Sequence, residues 1–131
     1  MFSPSITESS VARAAQSYHT KHLYIWDNFP VNDGRRNRLF LNPLTNRDPN
    51  LYKHIDGITS NPMIEPYASM PALANYGDYT WNPTTYDAKR RCQRYLTNSP
   101  AVTRLPVLRC AFSLISTRVG LTVPPTPTLL P

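Results

Sequence analysis

The N-terminal third of the chain contains a strongly apolar and aromatic stretch, Lys21-His-Leu-Tyr-Ile-Trp-Asp-Asn-Phe-Pro30. It ends at a proline, which removes a backbone N–H donor and fixes φ. The 131 residues include 14 prolines and only four glycines, so proline usage is about twice the average of ~5%. Because proline also biases the preceding residue away from the helix, helices of more than a few turns are expected only within residues 5–29 and 84–99.

The sequence predicts one short helix in each of these windows. Ser5-Ile-Thr-Glu8 has the pattern of a capping box, and small apolar residues follow it at helical spacing, which predicts a helix over about 6–20. The second window places four apolar residues on one face and basic residues over most of the remainder, the four being Ala88, Cys92, Tyr95 and Leu96. This amphipathic spacing predicts a second helix over 84–98.

Residues 30–83 are predicted to be a long irregular segment. An Asx-Pro dipeptide occurs there four times, at 42–43, 48–49, 61–62 and 82–83, and Asx side chains favour turns. A structureless segment of this length argues against a compact domain. Ordering the chain costs on the order of 100–200 kcal/mol of conformational entropy, which few apolar runs are present to offset. We therefore expect a mostly irregular, extended chain with two short α-helices and no independent compact core.

The expected organisation is a single extended chain over residues 1–131, divided by composition into five parts. These are a helix-containing N-terminal part (1–29), the irregular Asx-Pro-rich segment (30–83), the amphipathic helix (84–98), an apolar segment (105–123) and a polyproline tail (124–131). The apolar segment interleaves β-branched residues with Ser and Thr, so a helix and a strand are both possible there.

No pattern typical of a catalytic or metal site is visible. The three histidines have no Cys-x-x-Cys pair to complete a zinc site, and the acidic residues are scattered singly, without a carboxylate pair. There is no Gly-x-Ser-x-Gly elbow and no Walker or dinucleotide fingerprint. Cys92 and Cys110 lie among apolar residues, which is typical of inert buried thiols. The sequence therefore predicts a non-enzymatic protein with neither cofactor nor metal.

The charge and the aromatic residues predict a docked interface. The formal net charge is +6, and 11 of the 14 basic residues are arginine, which binds acidic groups bidentately and dominates interface hot spots together with aromatic residues. The expected partner-binding residues are Trp26, Phe29, Arg35, Arg36, Arg38, Phe40, Tyr76, Tyr79, Trp81, Arg90, Arg91 and Arg94. The alternatives are a solvated basic face or nucleic-acid contact for the arginines, and a small internal core for the aromatics.

The stretch Asn75-Tyr-Gly-Asp-Tyr-Thr-Trp-Asn-Pro-Thr-Thr-Tyr86 resembles the docking segments of small microtubule inner proteins of ciliary and flagellar doublets. The resemblance implies a structural protein that docks along the acidic lumenal surface of the doublet and staples neighbouring tubulin subunits or other inner proteins. It implies no small-molecule substrate and no membrane, and a location in the cytoplasm, at the axonemal cytoskeleton of the cilium or flagellum. The alternative is an accessory subunit that wraps another large assembly, such as a mitochondrial complex, a ribosome (with RNA contact) or a virion.

Overall fold

The computed structural model describes residues 3–91 and residue 94. In chain order the elements are helix α1 (Glu8–Ser17), strand β1 (Tyr24–Pro30), two short 3₁₀ turns (Asp33–Arg35 and Leu51–Lys53), strand β2 (Gly57–Asn61) and helix α2 (Pro66–Trp81). Residues 88–91 and 94 are also helical and lie within the helix predicted over 84–98. The predictions for residues 105–123, for the tail at 124–131 and for the two cysteines fall outside the described residues.

The two strands form a parallel sheet at the centre of the fold. Tyr24 lies opposite Gly57 and Trp26 opposite Thr59, and after Asp27 the register shifts so that Pro30 lies opposite Asn61. The apolar stretch at 21–30 contains three aromatic residues and the β-branched Ile25, which favour the extended conformation of a strand. A parallel pair needs a long crossover connection, and residues 31–56 supply it.

Glycine at position 57 leaves room for the side chain of Tyr24 on the neighbouring strand. The Tyr24 ring lies over this residue, and a Cβ added there would be 2.6 Å from the nearest ring carbon. A side chain at this position would therefore displace the tyrosine.

Helix α1 begins at Glu8, two residues later than the sequence predicted. Its N-cap is Thr7, whose Oγ1 accepts a hydrogen bond from the Ser10 N–H at 3.2 Å, while the Ser10 Oγ accepts one from the Thr7 N–H at 3.0 Å. The reciprocal capping box is thus Thr7–Ser10, not Ser5–Glu8. The helix packs through its buried residue Val11.

Helix α2 forms although it contains two prolines, and it overturns the prediction that residues 30–83 are irregular. Pro66 occupies the start of the helix, where no N–H donor is needed. Pro71 lies inside the helix, is buried and cannot donate a backbone hydrogen bond to the carbonyl of Tyr67. The Nδ2 of Asn75 donates to the Pro71 carbonyl at 2.9 Å, which adds a side-chain bond in the same turn.

Two apolar clusters pack against one face of the sheet. The first is built from Ile6, Val11 and Leu51, with Leu23, Ile25 and Ile55 packed around them. The second is built from Leu44, Tyr76 and Tyr79, with Phe29, Ile58 and Tyr86. The expectation of an extended chain without a compact core is therefore wrong, because the crossover and α2 bring together apolar residues that prolines separate along the sequence.

Within the described part of the chain, no helix has the length and apolar character needed to cross a membrane.

Tyr76 and Tyr79 provide a matched test of this core. The Tyr79 hydroxyl donates to the Asp48 carbonyl at 2.7 Å, and burial raises the pKa of Tyr79 to about 12. The Tyr76 hydroxyl is buried and has no hydrogen-bond partner among the described residues. We expect Tyr79→Phe to lower the free energy of unfolding by about 1 kcal/mol and Tyr76→Phe to leave it unchanged or raise it. Urea denaturation measures both, and a larger loss for Tyr76→Phe would contradict this packing.

Candidate functional site

The carboxyl ends of β1 and β2 lie side by side and carry polar side chains. In parallel α/β structures, ligand sites form beyond the carboxyl ends of the strands. Along β1, Tyr24, Trp26 and Asn28 alternate with residues that face the apolar clusters, so these three side chains lie on the other face of the sheet. Trp26 is 66% exposed, which leaves its ring available to a ligand.

Trp26, Asn28 and Asn61 form a continuous hydrogen-bonded set, which we call the amide edge. The Trp26 Nε1 donates to the Asn28 Oδ1 at 2.9 Å, and the Asn61 Nδ2 donates to the same oxygen at 3.1 Å. These two bonds fix the orientation of the Asn28 amide. Among the described residues nothing binds the Nδ2 of Asn28 or the Oδ1 of Asn61, so the amide edge presents a donor group and an acceptor next to an aromatic ring.

Asp27 lies between Trp26 and Asn28 but faces the interior, where Arg47 holds it. The Arg47 Nε donates to Oδ2 and its Nη2 donates to Oδ1, both at 2.7 Å. Asp27 is only 2% exposed, and the Arg47 guanidinium also lies 6.0 Å from the centroid of the Phe29 ring. This bidentate ion pair anchors the crossover to β1. Because Asp27 faces the interior, the neighbouring Asn28 faces the opposite side of the sheet. Because its charge is compensated and buried, Asp27 is not available as a catalytic acid.

The loop that follows β1 is tied to the start of α2 through Asn32, which is fully buried. The Asn32 Nδ2 donates to the Glu65 Oε2 at 2.9 Å and to the Arg38 carbonyl at 3.1 Å. These bonds hold Asp33, which is exposed, at the carboxyl end of the sheet. An exposed carboxylate at this position can accept hydrogen bonds from hydroxyl groups of a ligand.

The structure distributes the predicted partner-binding residues over several places. Trp26 belongs to the amide edge, whereas Tyr76 and Tyr79 are buried and Phe29 packs beside them, which matches the alternative of an internal core. Trp81 is 91% exposed at the end of α2. The arginines lie in two groups, Arg35, Arg36 and Arg38 exposed in the loop after β1, and Arg90, Arg91 and Arg94 in the helical stretch beyond α2.

Two further contacts involve the predicted residues. The Phe40 N–H donates to the Met63 Sδ at 3.2 Å, which holds the end of the loop against the interior. The Arg91 Nη1 lies 3.6 Å from the Asp78 Oδ1, so this arginine forms a partly exposed ion pair with another residue of the same chain. No group of three His, Cys, Asp or Glu side chains that could hold a metal occurs in the part of the chain that the structure describes.

Sequence reasoning missed Asn28, Asn32, Asp33 and Asn61. A usable signal was present, because Asn28 and Asn61 each follow a short run with aromatic or β-branched residues, where a strand would deliver a polar side chain to the edge of a sheet. Asn61 was instead interpreted as half of an Asx-Pro turn, and Asn28 was passed over within the apolar and aromatic stretch at 21–30.

A family model of β-N-acetylglucosaminidases (NAGidase) matches residues 1–106. The chain belongs to this family. A mutant of the O-GlcNAc hydrolase of Thermobaculum terrenum is similar over 82% of this chain and 23% of that chain, with 30% identity and a TM-score of 0.73. CpGH84B is similar over 76% of this chain and 18% of that chain, with 25% identity and a TM-score of 0.68. The chain thus spans less than a quarter of the length of either of these two structures.

The family match overturns the functional predictions made from composition. The resemblance to microtubule inner proteins was wrong, and so were the non-enzymatic structural role on the axoneme, the tubulin lattice as partner and the absence of a small-molecule substrate. The alternative of a subunit wrapping another assembly has no support either. The prolines were interpreted as signs of an extended chain and the arginines as docking residues. Both residue types also occur in the crossover and loops of this α/β fold, so neither was specific for an extended chain. The cytoplasmic location remains a prediction.

Removal of Arg47 tests how β1 is anchored. Arg47→Met leaves the Asp27 carboxylate buried without a counter-charge, and we expect it to lower the free energy of unfolding by about 3–5 kcal/mol. The double variant Asp27→Asn/Arg47→Met contains no buried charge and should recover much of that loss. Arg13→Met, at an exposed position of α1, is the matched control and should change stability by less than about 0.5 kcal/mol. Urea denaturation compares the three, and equal stability of Arg47→Met and Arg13→Met would contradict the anchoring role.

Proposed function

We propose that this chain provides the sugar-binding edge of a β-N-acetylglucosaminidase, an enzyme that hydrolyses β-linked N-acetylglucosamine. The observation that carries this proposal is the amide edge, in which Trp26, Asn28 and Asn61 meet at the carboxyl ends of two parallel strands. The family match and the similarity to an O-GlcNAc hydrolase support the same substrate class.

The chemistry of the amide edge suits a pyranose ring. A sugar ring has apolar C–H faces and a rim of hydroxyl groups, so it needs an aromatic surface together with paired donors and acceptors. Trp26 offers the aromatic surface, the Nδ2 of Asn28 donates, and the Oδ1 of Asn61 accepts. Because Trp26 and Asn61 already hold Asn28 in place, little side-chain ordering is required when the sugar binds.

The sheet itself indicates that the sugar-binding edge works as part of a larger catalytic unit. A parallel sheet normally has both faces covered, whereas Tyr24 and Trp26 are exposed on the free face of this one. Among the described residues, β1 and β2 pair only with each other. The similar hydrolase structures are much longer than this chain. We therefore assign hydrolysis to a larger enzyme unit in which further elements cover the free face and complete the sheet.

Hydrolysis of a glycoside requires a proton donor for the leaving oxygen and a second group that acts at the sugar carbon. Asp27 is excluded from both roles by its ion pair with Arg47, and the Glu65 carboxylate is engaged by Asn32. Asp33 is exposed and follows the carboxyl end of β1 by three residues, and we assign it to binding a sugar hydroxyl. The acid–base pair of the reaction is then expected from the remainder of the completed enzyme.

Binding of methyl β-N-acetylglucosaminide to the full chain tests the sugar-binding edge. The chain has two tryptophans, so a Trp81→Phe background leaves Trp26 as the fluorescent reporter. We expect dissociation constants on the order of millimolar for an open, single-sugar site. Asn28→Ala and Asn61→Ala should each weaken binding roughly three- to tenfold, since each removes one or two hydrogen bonds.

Asn42→Ala, which alters an exposed asparagine of the crossover, is the matched control and should bind the sugar as the background variant does. Methyl β-glucoside, which lacks the acetamide, should bind more weakly than the N-acetylated sugar. Equal affinities of the Asn28, Asn61 and Asn42 variants would refute the sugar-binding role of the amide edge.

A further inference from the structure

The loop after β1 carries an unusual density of positive charge. Residues 33–38, which we call the basic loop, read Asp-Gly-Arg-Arg-Asn-Arg and contain three arginines against one acid. All three arginines are exposed. The ion pairs found among the described residues involve other side chains, so no described acidic residue neutralises these guanidinium groups.

The backbone of the basic loop is held in place rather than free. The Arg35 N–H donates to the Asn32 carbonyl at 2.8 Å and the Arg38 N–H donates to the Arg35 carbonyl at 3.0 Å. The Arg38 carbonyl accepts a further bond from the buried Asn32 side chain at 3.1 Å. The basic loop begins three residues after Pro30, which lies opposite Asn61 of the amide edge, so it lies at the same end of the sheet as the amide edge.

N-acetylglucosamine is uncharged, so the arginines of the basic loop are not needed to bind the sugar itself. Planar guanidinium groups bind carboxylates with two parallel hydrogen bonds. We therefore expect the positive charge of the basic loop to bind the molecule to which the sugar is attached. Nucleic acids fit less well, because their recognition relies on a stripe of many phosphate contacts, and this cluster is confined to three arginines in one short loop.

We propose that the basic loop binds acidic side chains of a polypeptide that carries the sugar, so that the enzyme prefers N-acetylglucosamine attached next to Asp or Glu. This inference rests on the proposed sugar-binding function. Arg35 and Arg36, adjacent in the loop and both exposed, are the specificity-determining residues.

The test uses the full chain and three synthetic peptides. The first carries N-acetylglucosamine on a serine flanked by four glutamates, the second has glutamines in their place, and the third keeps the glutamates but lacks the sugar. Wild-type protein is compared with Arg35→Glu/Arg36→Glu. The matched control is Arg13→Glu/Lys21→Glu, which reverses two exposed charges on and just after α1 and so changes the net charge equally.

We expect wild-type protein to bind the acidic glycopeptide about tenfold more tightly than the glutamine version, as two or three exposed charge pairs would give. The loop variant should lose this preference, whereas the control variant should keep most of it. Raising the salt concentration to about 0.5 M should reduce the preference, because exposed charges are then screened. Circular dichroism verifies that both variants are folded.

Three outcomes would overturn the inference. The first is an equal loss of preference in the control variant, which would assign the effect to net charge. The second is equal binding of the acidic and glutamine glycopeptides by wild-type protein. The third is tighter, Arg35- and Arg36-dependent binding of a single-stranded RNA of equal charge, which would replace the acidic polypeptide by a nucleic acid.

The peptide without sugar separates this inference from the proposed function. Its binding should be lost in Arg35→Glu/Arg36→Glu but retained in Asn28→Ala, because the basic loop acts on the polypeptide alone. If the sugar-free peptide behaves in this way but no sugar binding is detected for any protein variant, the proposed function is wrong and the acidic-peptide site is retained. If sugar binding at the amide edge holds while this peptide ignores the loop variant, the basic-loop inference fails alone.

Discussion

The buried ion pair between Asp27 and Arg47 is the constraint on which the rest of the structure depends. Two charges removed from water are tolerated only with close, bidentate geometry, and both bonds here are 2.7 Å long. Asp27 lies in β1 and Arg47 in the crossover, so the pair fixes the path of the connection that allows β2 to return parallel to β1. Without Arg47, an inward-facing Asp27 carboxylate would be buried with no counter-charge, which is strongly unfavourable.

The same constraint orients the candidate site. Side chains alternate along a strand, so an inward Asp27 places Trp26 and Asn28 on the opposite face. Asn61 reaches Asn28 because the register shift after Asp27 aligns the last residues of the two strands. The amide edge is therefore a consequence of how β1 and β2 pair, and the basic loop takes its place because it continues directly from β1.

Local features of this fold could be predicted from the sequence, and long-range pairings could not. Helix α1 follows from its apolar spacing, although its cap is Thr7 and not Ser5. The helical residues 88–91 and 94 lie within the amphipathic pattern of residues 84–98, but the helix begins four residues later than predicted. Helix α2 was missed because Pro66 and Pro71 were counted as breakers, although a first-turn proline is favourable and Pro71 is accommodated in the buried face of the helix. The partner of Asp27 is 20 residues away and that of Asn28 is 33 residues away, separations that no local pattern encodes. Of the site, only Trp26 was predicted to contact a partner, and the kind of partner was wrong.

The central claim is that the amide edge binds N-acetylglucosamine. It is tested most directly by titrating isotopically labelled protein with methyl β-N-acetylglucosaminide and following its two-dimensional ¹H–¹⁵N NMR spectrum. We expect saturable shifts of the Trp26 indole N–H and of the side-chain amides of Asn28 and Asn61, with the Trp81 indole N–H unchanged. Shifts centred on Trp81, or none at the amide edge up to tens of millimolar sugar, would contradict it.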